Sequence, residues 1–286
     1  MRSQRDRATW SEPARASPRG EAATEPKATE TPTMLRPIFR NAGIRPAALL
    51  RALRGWRRYV AHRDAFRRMS GAGSMPWGRE LPMLMEWDDS SGTLGGYFYQ
   101  DLTVARWVHE ADPQRHVDVG SRLDGFIGHL AAFREVEVLD IRPQPLTVPN
   151  VTFHQLDLMQ ALPAEWIECT DSLSCLHTIE HFGLGRYGDP LDPDGHLKGL
   201  EQLAKLVRPG GTFHLSTLVG RERIEFNAHR VFAPDTMLSW FEDGWEIQRT
   251  ALIDDQLKLS TAEDSSALQG ADCDTGVGIV AARKMR

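Results

Sequence analysis

The stretch His116-Val-Asp-Val-Gly120-Ser-Arg-Leu-Asp-Gly125-Phe holds residue types that could bind a nucleotide. A short apolar run that enters a glycine-containing turn and then a helix is where an α/β sheet takes such a ligand, at the carboxyl end of the strand. Gly120 lets the backbone approach a ligand closely, and Asp118 can hold the turn or accept a hydrogen bond from a ligand ammonium. Asp140 follows 22 residues after Asp118, near the roughly 20-residue offset at which an acid meets ribose hydroxyls in dinucleotide folds. Asp157 stands past the next apolar run, where a carboxylate can accept from an adenine amino group. Any one of these acids could simply cap a loop, but three after successive strands line one edge of a sheet.

A second set, His177-x-x-Glu180-His181, could move a proton. A hydroxyl acceptor is a poor nucleophile until its proton leaves, and a histidine near its working pKa contributes about 10²–10⁴ in rate as the base. His181 is the first candidate and His177 the second, with Glu180 orienting one of them. The same spacing describes an inverted zinc-protease signature, which needs a helix to bring both histidines to one metal. Gly183 and Gly185 interrupt such a helix here, so no metal is expected. The following loop, Gly185-Arg-Tyr-Gly-Asp-Pro-Leu-Asp-Pro-Asp-Gly195, clusters Asp189, Asp192 and Asp194 without calcium-loop spacing. Asp194 is therefore expected to cap the next helix, and the other two to shape turns. Tyr187 and Asp189 from this loop, with Asn227, His229 and Arg230 downstream, are the residues expected to face a substrate. Arg230 suits a carboxylate or phosphate.

Elements that position these residues alternate at the spacing of βα units, which argues for a mostly parallel sheet covered on both faces. Strands are expected at 115–119, 136–140, 151–155, 172–177, 212–218, 245–252 and 277–282. Helices are expected from near Tyr99 or Asp101 to Ala111, and over 126–133, 196–207 and 235–241. Pro209-Gly210-Gly211 would end the third of these as a glycine cap. Residues 255–276 read as a long, mobile polar excursion.

Together the motifs resemble the class I S-adenosylmethionine-dependent methyltransferases, over residues from about 95 to 286. Asp118, Gly120 and Gly125 match that family's first motif, Asp140 its ribose acid, Asp157 its adenine-side acid, and Leu206-Val-Arg-Pro-Gly-Gly-Thr-Phe its fifth strand. The resemblance implies a Rossmann-like seven-stranded sheet of order 3-2-1-4-5-7-6, closed by an antiparallel hairpin. It also implies S-adenosylmethionine as cofactor, with Ser121, Ile141 and Leu158 beside the acids in its binding wall. Gly96-Tyr-Phe-Tyr-Gln-Asp101 and Ser174-Cys-Leu-His-Thr-Ile-Glu-His181 look like a bacterial branch of that superfamily, catalogued as a domain of unknown function and associated with surface-polysaccharide biosynthesis. A glycan or related small molecule is then the implied substrate, and methyl transfer to oxygen the implied reaction. One position departs: the middle glycine of the family's Gly-x-Gly-x-Gly is Arg122, which either crowds the methionine part of the cofactor or turns outward. A non-catalytic binding or scaffolding protein of the same fold is the alternative. A nicotinamide-dependent oxidoreductase is a weaker third reading, because the glycine spacing is wrong for a pyrophosphate.

The chain has 286 residues and a net charge of −5, unevenly spread. Residues 1–68 hold 16 of the 34 Lys+Arg and only 6 of the 39 Asp+Glu, so neither a uniformly basic nucleic-acid binder nor a uniformly acidic disordered chain is indicated. Residues 1–33, rich in Arg, Glu, Ala and Pro, are expected to be disordered. Residues 34–75 form a basic arm in which Leu49, Leu53, Trp56 and Val60 fall on one helical face, suited to packing or to peripheral contact with anionic lipid. A domain follows over 76–286. Three cysteines without Cys-x-x-Cys spacing and the lack of a signal-peptide pattern point to a reducing cytoplasm, with the inner face of the membrane open to the arm.

Overall fold

The computed structural model describes residues 46–69, 75–85, 94–145 and 147–286, so the expected disordered tail lies outside the described residues. The chain divides into two compact units, one through Ser91 and one from Gly92. In the first, the apolar spacing is realised as helix α1, Pro46–Arg67. Residues 75–85 cross this helix at Gly55, where a Cβ would stand 1.8 Å from the Leu84 carbonyl oxygen. Glu80 ties the crossing by accepting from Tyr59 (3.0 Å), Arg63 (3.2 Å) and Arg67 (2.9 Å).

The second unit opens with helix α2, Gly96–Ala111. Its strands are β1 His116–Val119, β2 Val136–Asp140, β3 Val151–Gln155, β4 Thr170–Leu176 and β5 Val207–Val219, then β6 Arg223–Glu225, β7 His229–Val231, β8 Trp245–Ile253, β9 Leu259–Ala262 and β10 Gly276–Lys284. Eight of them form one sheet in the order β3-β2-β1-β4-β5-β10-β8-β9, parallel from β3 to β5 and antiparallel beyond. Parallel strands are covered on both faces, and β1 is buried along its whole length, polar His116 and Asp118 included. Phe213, Leu203, Leu206 and Met237 pack one face under helices α4 (Gly195–Leu206) and α5 (Pro234–Ser239). Val104, Trp107, Phe126 and Leu130 pack the other, under α2 and the short helix α3 (Gly128–Ala131).

Three expectations are corrected. The sheet has eight strands where seven were expected, and its order differs because β9 adds an edge beyond β8. That strand lies in the polar excursion, which is built: Asp255 accepts from the amides of Asp274 and Thr275, each at 2.9 Å. Polar residues pair there because an edge strand needs only backbone partners and one half-buried face. Finally, α4 stops at Leu206 because Val207 is already extended and starts β5, so the glycines do not cap it.

β5 also buries a histidine. His214 is 2% exposed, neither ring nitrogen finds a protein partner, and its ring lies 6.4 Å from that of Trp107. Burial, with Arg249 adding a smaller push, lowers its pKa from 6.5 to about 4. The unfolded chain takes up this proton near pH 6.5 and the folded chain only near 4. This stability is therefore fully present above pH 6.5 and lost as pH falls toward 4, by roughly 3 kcal/mol. His214→Leu should remove that share of the acid sensitivity, read as the difference between urea midpoints at pH 7 and pH 4. An unchanged difference would assign the sensitivity elsewhere.

Candidate functional site

A cavity of about 550 Å³ opens across the carboxyl ends of β1, β2 and β4. Its floor is the turn after β1. Gly120 has φ +72°, and a Cβ there would come within 2.4 Å of Thr178 Cγ2, so the turns after β1 and β4 close on each other only with glycine. Asp118 does not line the cavity. It is fully buried beneath the turn and accepts from Ser121 N (3.0 Å), Ser121 Oγ (2.7 Å) and Ser174 Oγ. Burial pushes its pKa up to about 7 against the three hydrogen bonds that lower it. Of the two sequence readings of Asp118, holding the turn is the one realised. Gly125 lies off the cavity too, packed where a Cβ would meet Asp101 Oδ2 at 2.7 Å.

Asp140, Ile141, Asp157 and Leu158 line the wall beside this floor, as does Ser121. Asp157 Oδ1 accepts from Met159 N at 2.9 Å. Both oxygens of Asp140 are taken by Arg142, through Nε (3.0 Å) and Nη2 (2.6 Å). Arg122, the residue in place of the middle glycine, turns outward and pairs with Asp124 at 2.7 Å with 65% of its side chain exposed.

The proton-moving set sits on β4's end and the turn Ile179–His181. His177 Nδ1 meets Glu180 Oε1 at 2.8 Å, and since a carboxylate accepts, Nδ1 is the donor of that bond. Glu180 is fully buried and also accepts from Thr217 Oγ1 (3.1 Å). Burial raises its pKa, but the hydrogen bond and charge of His177, with His181, outweigh that and hold it below the usual carboxylate range. Glu180 thus orients His177 rather than His181. His181 Nδ1 donates instead to the Ala228 carbonyl (2.7 Å), which leaves Nε2 free. Burial pulls the pKa of His181 down, against Glu180. Both rings line the cavity, as do Tyr187, Asp189 and His229.

Two expected substrate residues are placed elsewhere. Arg230 is 3% exposed, and its Nη1 and Nη2 donate to the carbonyls of Phe182 (2.6 Å) and Pro193 (3.1 Å). Asn227 is exposed in the β6–β7 turn with φ +63°. Asp189 shapes its turn as expected, accepting from Gly185 N and Tyr187 N (3.1 Å each), and Asp192 accepts from Asp194 N (2.9 Å). Asp194 stands at the start of α4 without a side-chain cap, which corrects the capping expectation. Among the described residues no group of three His, Cys, Asp or Glu converges as metal ligands.

A family model described as Caenorhabditis protein of unknown function, DUF268, matches residues 144–266, under half of the chain. No curated protein matches the sequence. Among solved structures, the N-methyltransferase NodS from Bradyrhizobium japonicum WM9 in complex with S-adenosyl-l-homocysteine is 12% identical, with 72% of this chain and 92% of that chain covered and a TM-score of 0.45. The 1,6-didemethyltoxoflavin-N1-methyltransferase of Burkholderia thailandensis is 13% identical, covering 92% and 94%, with a TM-score of 0.42. The [4+2]-cyclase SpnF is 14% identical, covering 64% and 81%, with a TM-score of 0.44.

The cavity also holds residues to which the sequence assigned no role, chiefly Tyr97, Gln100, Asp101, Arg142 and Arg186. Asp101 is 6% exposed and accepts from Gln100 Nε2 at 3.0 Å, while Gln100 Oε1 accepts from Ser216 Oγ. Burial raises the pKa of Asp101. A signal for this pair was present: Gln100 and Asp101 fall on the same face of α2 as Val104, Ala105 and Val108, where polar residues are buried only for a reason.

Proposed function

We propose that the second unit is an S-adenosylmethionine-dependent methyltransferase that methylates an oxygen of a small molecule or glycan. The observation that carries this reading is a single cavity in which the Gly120 turn, Asp140 and Asp157 meet a carboxylate-held histidine. The charge of the wall favours that cofactor over a dinucleotide. A pyrophosphate needs backbone donors, and Ser121 N–H is already given to Asp118. Among the described residues, buried Asp101 has no lysine or arginine within ion-pair distance, so it suits an ammonium. Asp140 then suits ribose hydroxyls and Asp157 an adenine amine, with Ile141 and Leu158 as apolar walls.

Bound there, the cofactor supplies a methyl group to an aligned nucleophile. The protein's share is to align the acceptor and remove its proton. His177 Nε2 takes that proton, because the charge of Glu180 stabilises the imidazolium as it forms. His181 leans on a neutral carbonyl, burial lowers its pKa, and it lies beside the acceptor.

One observation favours the non-catalytic alternative: the carboxylate proposed for the ribose is latched by Arg142. Isothermal titration with S-adenosylmethionine and S-adenosylhomocysteine separates the two readings, and no binding of either would exclude the enzyme. The latch is a partly exposed pair, worth about 0–1 kcal/mol. Arg142→Ala should therefore tighten S-adenosylhomocysteine by up to about fivefold. Asp140→Asn should weaken it by about 10–100-fold, the loss of a charge-assisted hydrogen bond. Equal affinities in all three proteins would remove Asp140 from the site.

A further inference from the structure

Among the described residues three arginines line the cavity, and one of them has no acidic partner. Arg122 is paired with Asp124 at 2.7 Å and Arg142 with Asp140 at 2.6 Å. Arg186 has no carboxylate within ion-pair distance among the described residues, and its place is set by other means. Its Nη1 donates to the Ala228 carbonyl at 2.9 Å, and its guanidinium carbon lies 5.2 Å from the centre of the Tyr187 ring. The same carbonyl accepts from His181 Nδ1 at 2.7 Å, so one oxygen holds the guanidinium beside the imidazole. The Tyr187 ring meets His181 edge-on, with centroids 5.4 Å apart. Asp189, the acid in the same loop, directs its two oxygens to the backbone amides of Gly185 and Tyr187.

The result is a corner made of a fixed cation, an aromatic edge and an imidazole. Nε and Nη2 of Arg186 donate to no protein atom among the described residues. A planar guanidinium with free donors matches the paired oxygens of a carboxylate or phosphate. Taking the cavity as a methyltransferase site, we infer that the acceptor carries such an anionic group, held by Arg186 in the corner formed with His181 and Tyr187. Arg230 was the sequence's candidate for this task, but it is buried off the cavity, with Nη1 and Nη2 donating to backbone carbonyls. Arg186 is the cation that remains available, and it determines which acceptors are admitted.

The test titrates the full chain, with and without saturating S-adenosylhomocysteine, against inorganic phosphate and against acetate at constant ionic strength. The ring resonances of His181 report occupancy of the corner, and calorimetry reports cofactor affinity. At least one anion should shift those resonances saturably. Arg186→Gln should weaken that binding at least tenfold, and Arg186→Lys, which keeps the charge and loses the fork, should fall between. Arg106→Gln, in an exposed pair with Glu110 on α2, should leave it unchanged. The tighter of the two anions names the group. No saturable shift with either anion, or equal affinity in Arg186→Gln, would overturn the inference. A protein that binds the anion through Arg186 yet ignores S-adenosylhomocysteine would instead overturn the methyltransferase reading and leave the anion corner standing.

Discussion

Replacing His177 by alanine should lower kcat by about 10²–10⁴-fold, the range for loss of a positioned general base. The expectation rests on a chain of contacts. Thr217 Oγ1 and His177 Nδ1 both donate to the buried Glu180 carboxylate, which fixes the tautomer and presents Nε2 to the cavity. Tyr97 packs against the ring with centroids 4.6 Å apart. The backbone pays for this placement: His177 has φ +50°, a left-handed conformation that costs a non-glycine residue roughly 1–2 kcal/mol. Its amide is held there by the carbonyl (3.1 Å) and hydroxyl (3.2 Å) oxygens of Ser216. Strain kept at a cavity wall marks a residue whose direction matters.

The measurement is release of S-adenosylhomocysteine from S-adenosylmethionine with a deproteinised small-molecule extract as acceptor source, followed across pH. Glu180→Gln should lose less than His177→Ala, because the amide can still hold the ring while the stabilising charge is gone. Affinity for S-adenosylhomocysteine should stay within about threefold in both, since neither carboxylate nor ring is asked to bind the cofactor. If His177→Ala and His181→Ala each kept near-normal turnover, proton removal by either histidine would be excluded.

Gly183→Ala should destabilise the second unit by about 3 kcal/mol or more, lowering Tm by roughly 6–12 °C for a unit of this size. Gly183 has φ +77°, and a Cβ there would stand 2.0 Å from the Asp192 carbonyl oxygen. Its own carbonyl accepts from Asp192 N at 2.9 Å, so the two strands of the loop touch backbone to backbone. Gly195, the first residue of α4, packs from the other side, where its Cβ would meet Gly183 Cα at 2.9 Å. Arg230 clamps the same junction through Phe182 and Pro193. A methyl group must therefore push apart the base of the loop that carries Arg186, Tyr187 and Asp189. Gly188→Ala is the control: its φ is also positive (+86°), but its Cβ would meet nothing within 4 Å. It should cost only the backbone term, roughly 1–2 kcal/mol. Equal melting temperatures for the two variants would show that the close approach at Gly183 relaxes freely.

The sequence by itself determined the alternation of strands and helices, the Gly120 turn, and Asp140 and Asp157 at successive strand ends. These are local matters: apolar runs of strand length, turn residues and the rise of a βα unit are written in consecutive residues. It also marked His177, Glu180 and His181 as one group, because three residues of spacing keep them together in any turn. Which side chain faces which was decided only by closure of the chain. Gln100 meets Ser216 across 116 residues, and Ala228 supplies the carbonyl that directs His181 from 47 residues away. Arg230 and Arg186 differ in the same way. Both are arginines near the acceptor loop, yet one is buried among carbonyls that take its Nη1 and Nη2, while the other stands on the cavity wall with only Nη1 given to a carbonyl. Strand β9 was hidden because edge pairing uses backbone groups that every residue carries, and polar side chains do not prevent it. Local pattern thus placed the acids, whereas long-range packing assigned each cation and each imidazole its partner, since hydrogen-bond satisfaction in a buried site depends on what the rest of the chain brings within about 3 Å.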